Sequence, residues 1–388
     1  MSLRQRLSLG FFIALALTAL TPVAALAHAN LVAADESGGA VTLAFSEPVQ
    51  PIGQAIRVYA PDGRRADRGA VSKPGPAALR VAFDGAGQGT YLVIWQVVSA
   101  DTHPSRGALT FAVGTPGPVP QVGLPRADVG GVAPLGLIIQ ALGRWLHFAG
   151  VALGFGAPFT ALAVGAPAAA RVARLALAGA GLLLAGEVTW LLGQAASLGI
   201  WDQASLADIV ASPAGRVMGL LLGAAIALWA LLGIAGRPRE RSLAITALGV
   251  AVCFVDGVAG HIVKGAPQPL AIALNAVHEG GMAAWVGALL AVVPGGLSPG
   301  GGARVAVPAA AVALLSGAVL ALVHIPAPAA LFASPYGWAV VLKVAAVAAT
   351  LAVGALALRT RRPPRVELIA LAVVLMIAAT LVSLPPPR

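Results

Sequence analysis

The chain has little charge, few aromatic side chains and almost no sulfur chemistry. Of its 388 residues, 10% are Asp, Glu, Lys or Arg and 5% are aromatic. Soluble domains carry about a quarter charged residues, so a chain of this length with so few cannot present an ordinary wetted surface. The one cysteine, Cys253, lies in an apolar run. A single cysteine excludes an internal disulfide, a thiolate zinc site and an iron–sulfur cluster within one chain. No G-x-x-x-x-G-K-[ST] phosphate loop occurs, so no nucleotide is expected as partner and ATP-driven pumping by this chain is not expected. Acids are scarce beside bases, 15 against 25, which gives a net charge of +10. On a soluble protein that excess would point to nucleic acid. Here 58% of residues are hydrophobic and the mean hydropathy is +0.87, the composition of a membrane protein.

Three parts can be read along the chain. Residues 1–27 begin with Arg4 and Arg6, continue through an apolar stretch from Leu7 to Leu20, and end in Pro22 and Ala25-Leu26-Ala27. A basic start, a short apolar core and an A-x-A triplet are the marks of a signal peptide, so the mature chain is expected to begin at His28. Residues 28–114 hold seven bases and seven acids and are the one stretch of ordinary polarity. β-Branched and aromatic runs recur there at Val41–Phe45, Ala55–Tyr59, Leu79–Phe83, Tyr91–Val98 and Ala108–Val113. Turn chemistry at Ser46-Glu-Pro48, Pro61-Asp-Gly63 and Lys73-Pro-Gly-Pro76 separates them, a pattern that predicts a small antiparallel β-sandwich or barrel. A linker at 115–133 follows, and its Thr115-Pro-Gly-Pro-Val-Pro120 favours an extended, semi-rigid spacer.

Residues 134–388 predict an all-α polytopic membrane domain of about eight helices, at approximately 134–157, 172–197, 213–235, 241–262, 270–293, 303–325, 335–359 and 365–384. Each has about the 20 residues that a helix needs to cross a hydrocarbon core of ~30 Å. If the β-domain is exported, the first helix enters from outside. The loops carrying Arg171/Arg174, Arg237/Arg239/Arg241, Arg304 and Arg359/Arg361/Arg362/Arg365 then face the cytoplasm, against Arg216, Lys264 and Arg388 outside. The positive-inside rule and the signal peptide agree. The basic excess is therefore a topology signal, nucleic acid is not needed as partner, and the C-terminus is expected outside a bacterial inner membrane.

Cleavage before His28 would expose a residue with two metal-binding nitrogens, the α-amine and the imidazole. The amine's ordinary pKa, about 7.7 to 8.0, lets a strongly binding cation displace its proton near neutrality. The other histidine of the β-domain, His103, stands in Ser99-Ala-Asp101-Thr-His103. Asp101 and His103, at i and i+2 on a strand end, project to one face. An amine, two imidazoles and a carboxylate form an N/O set that suits Cu(II) better than Cu(I). No methionine occurs between His28 and the linker, so no thioether Cu(I) site is expected there.

His28-Ala-Asn-Leu31, Phe45-Ser-Glu-Pro48 and the run from Tyr91 through Trp95, Asp101 and His103 to Gly107 and Phe111 resemble the CopC family of periplasmic copper-binding proteins over the whole β-domain. The resemblance implies an immunoglobulin-like Greek-key β-barrel that binds Cu(II) through His28, Asp101 and His103. Thr102 stands where family members usually have Gly, a departure that alters the loop and removes no ligand.

Ionisable groups inside membrane spans are functional by default, because hydrocarbon makes them costly. His147 and Glu187 fall near mid-membrane, and Asp256, His261, His278, Glu279 and His324 in outer halves or ends. His261, His278 and His324 at similar depth suggest a path for a metal arriving from the exported domain, with His147, Asp256 and Glu187 further along it. Arg144 and Lys343 are expected to pair with Glu187 or Glu279 or to touch substrate. Arg144-Trp-Leu-His147, the run from His278 to Gly287, Ser334-Pro-Tyr336 to Lys343, and Arg365-Val-Glu367-Leu are similar to the CopD family of inner-membrane copper-resistance proteins. The two resemblances together imply a non-enzymatic copper protein. It would capture Cu(II) outside the inner membrane and pass it into a histidine-containing membrane path for import or homeostasis. Its partners would be copper, the lipid bilayer and other copper-handling periplasmic proteins. A passive sequestration protein and a membrane haem or copper oxidoreductase are the alternatives.

Overall fold

The computed structural model describes residues 29, 31–85, 87–99, 103–122, 133–167, 169–234, 236–259, 267–325, 327–360 and 365–384. The expected signal peptide, His28, Asp101, His261 and most of the linker lie outside them. The chain divides into two compact units. One holds the described residues up to Ile139 together with Leu191–Arg216, and the other those of 140–190 and 217–384.

The β-domain has seven strands: β1 Leu31–Ser37, β2 Ala40–Phe45, β3 Val49–Tyr59, β4 Asp67–Gly75, β5 Ala78–Phe83, β6 Gly89–Ser99 and β7 Pro104–Val113. They form two antiparallel sheets in the orders β1-β2-β5-β4 and β3-β6-β7, the immunoglobulin constant-type topology. Alternation on β2 and β5 turns Val41, Leu43, Phe45, Leu79, Val81 and Phe83 inward, against Ile56, Val58, Tyr91, Val93, Trp95 and Val97 of the other sheet. Tyr91 stacks on Phe111 with ring centroids 5.3 Å apart, and Phe83 meets both edge-on. Tyr91 Oη donates to Gly87 O at 2.9 Å, a tyrosine corner that pins the start of β6. Gly107 lies across from Trp95, where a Cβ would stand 2.6 Å from the indole Cζ2.

Five strands were expected and seven are present. β1 and β4 are edge strands with mostly exposed residues, so they lack the apolar alternation that reveals the others. Lys73 and Pro74 belong to β4, and the turn begins at Pro76. β3 starts at Val49, ahead of the apolar run, and carries a bulge: its pairing with β6 jumps from Pro51↔Val97 to Ile56↔Trp95. The first linker residues run along the β-domain, where Thr90 Oγ1 donates to Gly117 O at 2.6 Å and accepts from Gly117 N at 3.0 Å.

The helices are α1 Pro134–Val151, a π-helical turn Ala152–Gly156, α2 Ala157–Ala163, α3 Ala170–Leu198, α4 Gln203–Ala211, α5 Pro213–Gly233, α6 Pro238–Ala259, α7 Gln268–Val292, α8 Pro299–His324, α9 Ala330–Ala333, α10 Pro335–Thr360 and α11 Arg365–Ser383. Among the described residues seven helices are long and apolar enough to cross a membrane, the first running unbroken from Pro134 to Ala163 through the π turn. The fifth expected segment is α7, with 25 residues; Asn275, His278 and Glu279 lower its hydropathy, and it is not one of the seven. Trp201, Trp229 and Trp338 are exposed toward helix ends, as interfacial aromatics are.

In lipid, apolar side chains give little drive for helices to associate, and close contact of small residues does more. Gly143, Gly150 and Gly154 of the first span face Gly186, Leu183 and Gly179 of α3, and Gly156 faces Ala283 and Gly287 of α7. A Cβ on Gly186 would lie 2.8 Å from His147 N. These contacts bring the polar residues of α1, α3 and α7 within reach of one another.

Candidate metal centre

At the end of β6, Ser99 is bonded to His103. Ser99 N and Ser99 Oγ both donate to His103 O, at 2.9 and 2.8 Å. His103 is 5% exposed and leads directly into Pro104 of β7. Ala29, next to the expected first mature residue, is buried in the β-domain core. His28 and Asp101, the other two expected ligands, lie outside the described residues.

A second polar constellation occupies the helical unit. Arg144 and His147 are one turn apart on α1, Glu187 comes from α3, Asp256 from α6 and Glu279 from α7. His147 Nδ1 donates to Glu187 Oε1 at 2.8 Å and Nε2 to Asp256 Oδ2 at 2.9 Å, with Glu279 Oε1 3.7 Å from Nε2. The side chains are 2% exposed at His147, 4% at Glu187, 6% at Asp256 and 10% at Glu279. Arg144 reaches to 3.9 Å from Asp256 Oδ1 and stacks 4.8 Å above the Trp190 ring. It was expected to pair with Glu187 or Glu279 or to touch substrate; the carboxylate it approaches is Asp256, and His147 is bonded to Glu187.

Three carboxylates face one guanidinium and one imidazole, so the cluster is acidic by one charge even with the imidazole charged. Asp256 Oδ1 and Glu279 Oε1 are buried without a hydrogen-bond partner, and such acceptors are costly unless something satisfies them. One ligand atom each from His147, Asp256 and Glu279 fall within 4.8 Å of one another, the spacing of a metal-binding group. The donors are one imidazole nitrogen and two carboxylate oxygens, a hard-to-borderline set that fits a divalent cation such as Cu(II). Glu187, on the far ring nitrogen, fixes the orientation of the imidazole in the way second-sphere carboxylates do around metal-ligating histidines.

Of the membrane residues expected to form a path, the structure therefore gathers His147, Glu187 and Asp256, and adds Glu279. His278 and His324 are placed apart from this group. His278 Nδ1 donates to Ala313 O at 2.9 Å, and Lys343 Nζ lies 3.4 Å from its Nε2. His324 Nδ1 donates to Leu320 O of its own helix at 2.8 Å. Cys253 and Met218 are buried packing residues, and Met282 packs against the core formed by α1, α7, α8 and α11. The signal that could have singled out Glu279 was its depth: it lies one residue beyond His278, at the level of Asp256 on the antiparallel neighbour α6.

An immunoglobulin-like β-domain carrying a buried histidine, followed by helices long and apolar enough to cross a membrane, defines a two-part membrane protein. Residues 28–114 match the family described as CopC domain, and the chain carries a CopC domain over that range. Among solved structures, one similar chain is CopC from Methylosinus trichosporium OB3b, 26% identical, covering 23% of this chain and 95% of that one, with a TM-score of 0.20. No curated protein matches. The CopC domain and the apolar helices together make this a copper-related membrane protein.

Proposed function

We propose that this protein is a non-enzymatic copper carrier of a bacterial inner membrane. Its exported CopC domain captures Cu(II) with His28, Asp101 and His103. Its helical unit, which resembles the CopD family, accepts the ion at His147, Asp256 and Glu279 for import or homeostasis. The observation that carries this reading is the pair of buried carboxylate oxygens without a hydrogen bond beside His147, in a chain that also bears a CopC domain. Glu187 acts through the imidazole it holds, and Arg144 offsets part of the carboxylate charge.

The test is copper accumulation in cells expressing the full chain. Asp256→Asn with Glu279→Gln should lower accumulated copper to the level of cells without the protein, while Cu(II) binding by the β-domain is kept. Asp101→Ala with His103→Ala should abolish that binding. Accumulation untouched by the membrane pair would overturn the relay, and copper held only outside the cell would mark a sequestering protein instead.

A further inference from the structure

The helix α4 belongs by sequence to the segment joining two membrane spans, α3 and α5, yet it packs in one compact unit with the β-domain. Asp202 caps its N-terminus by accepting from Ser205 N at 2.9 Å. Ser205 and Ile209, four residues apart on one face of α4, are buried, so the helix has one covered face. Asp208 sits beside that face, and its Oδ2 accepts from Gly53 N at 3.0 Å.

Gly53 lies in the bulge of β3. A bulge takes a residue out of the ladder and leaves its amide without a strand partner, and here α4 supplies the acceptor. The bulge has φ +53° at Gly53, a conformation that favours glycine. Any Cβ there would overlap the Ser205 hydroxyl. Gln96 Nε2 of β6 donates to Ile52 O at 3.2 Å and steadies the bulge. The bulge faces β6 around Val97, two residues before Ser99, whose amide and hydroxyl donate to His103 O. The α4 contact therefore grips β3, the neighbour of β6, whose last residue Ser99 is bonded to His103.

We propose that α4 is a docking helix for the chain's own β-domain. The domain is held twice, covalently through the linker and non-covalently where α4 seats on the β3 bulge, with the end carrying His103 at the held side. Docking also places the segment between α3 and α5 on the same side of the membrane as the β-domain, the side that the distribution of basic residues assigns to it independently. The inference does not depend on which metal the protein handles.

A cross-link in the full chain tests it. An ideal Cβ at Gly53 lies 3.4 Å from Ser205 Cβ, next to the ~3.5 to 4.5 Å range of disulfides. The variant carries Cys253→Ala, Gly53→Cys and Ser205→Cys, with a protease site inserted after Pro120. It is oxidised in membranes with diamide and then cut. The β-domain should stay with the membrane fraction until reductant is added. A Gly63→Cys/Ser205→Cys pair should not link, since Gly63 has open space around it. Release without reductant, linking of the Gly63 pair to the same extent, or linking only between two chains would overturn the proposal. A second measurement leaves Gly53 native: Asp208→Ala should speed hydrogen exchange at the Gly53 amide about tenfold, and unchanged exchange would overturn it as well.

Discussion

A buried and a half-buried histidine of the helical unit, His147 and His278, stand in opposite surroundings, although Glu279 and His278 are neighbours on one helix. Glu279 points toward His147, which lies between carboxylates from α3, α6 and α7. His278, one position earlier, points to α8 and α10, where it meets a carbonyl and the Lys343 ammonium. At His147 both ring nitrogens are donors to acids. At His278 Nδ1 is the donor, and Nε2 keeps a lone pair that accepts from an internal cation. An imidazole ringed by acids faces negative charge on every side, whereas one capped by a lysine faces a cation. Residue type told these two histidines apart in no way; their neighbours across the helix interfaces do.

Removing each imidazole should break or sharpen that contrast most strongly. His147→Ala leaves Glu187, Asp256 and Glu279 buried with Arg144 as the remaining counter-charge, and breaking a buried ion pair from one side costs about 3 to 5 kcal/mol. His278→Ala leaves a carbonyl and an ammonium to find other partners and should cost about 1 to 3 kcal/mol. Thermal unfolding of the two purified full-length variants in one detergent measures both. Equal losses would erase the distinction, and a partial recovery of His147→Ala by an added Asp256→Asn would confirm that excess negative charge is what the imidazole offsets.

A smaller effect is expected from the lysine itself. Lys343→Met keeps the length of the side chain and withdraws the cation from His278 Nε2, which should cost about 1 kcal/mol. The same change frees the Nε2 lone pair, so His278 should become more reactive toward diethyl pyrocarbonate while His147 does not. Unchanged reactivity at His278 would mean that Lys343 does not cap it.

The architecture was legible where one physical coordinate decides it. Apolar length alone located the α1, α3, α5, α6, α8, α10 and α11 segments to within a few residues, because a bilayer sets one thickness for all of them. Inward-facing strands such as β2, β5 and β6 were legible from their apolar content, whereas the edge strands β1 and β4, solvated on most of their residues, gave no periodic signal. The polar site was legible only by composition. Sequence fixes how deep Glu187, Asp256 or Lys343 lies along a span but not the azimuth at which it projects. That azimuth depends on the glycine contacts between α1 and α3 and on the π turn at Ala152–Gly156, which shifts the face that the rest of the first span presents to α7. Hence Arg144 approaches Asp256 and Lys343 meets His278, where pairing with Glu187 or Glu279, or contact with substrate, was the expectation.

The β-domain offers a carboxylate in the opposite condition from Asp256, and it gives the mildest prediction. Asp67 has every acceptor position occupied: Arg65 donates from Nε and a terminal nitrogen at 2.8 Å each, Val58 N at 2.9 Å and Gly69 N at 3.0 Å. Burial pushes its carboxyl up, but the Arg65 guanidinium and the two amides favour the charged form more, and its pKa falls below the ordinary 3.8. A carboxyl depressed in the fold contributes stability that is complete above the unfolded value and is lost as pH falls through the folded one. Urea denaturation of residues 28–121 should therefore show Asp67→Asn less stable than the native sequence by a constant margin from about pH 6 to 8, and that margin should shrink below about pH 4. A margin independent of pH would mean that the side chain acts there by shape alone. A margin that closes in acid would show that a carboxylate with all its acceptor positions filled stabilises the β-domain through its charge, the condition that Asp256 Oδ1 and Glu279 Oε1, without hydrogen bonds, do not share.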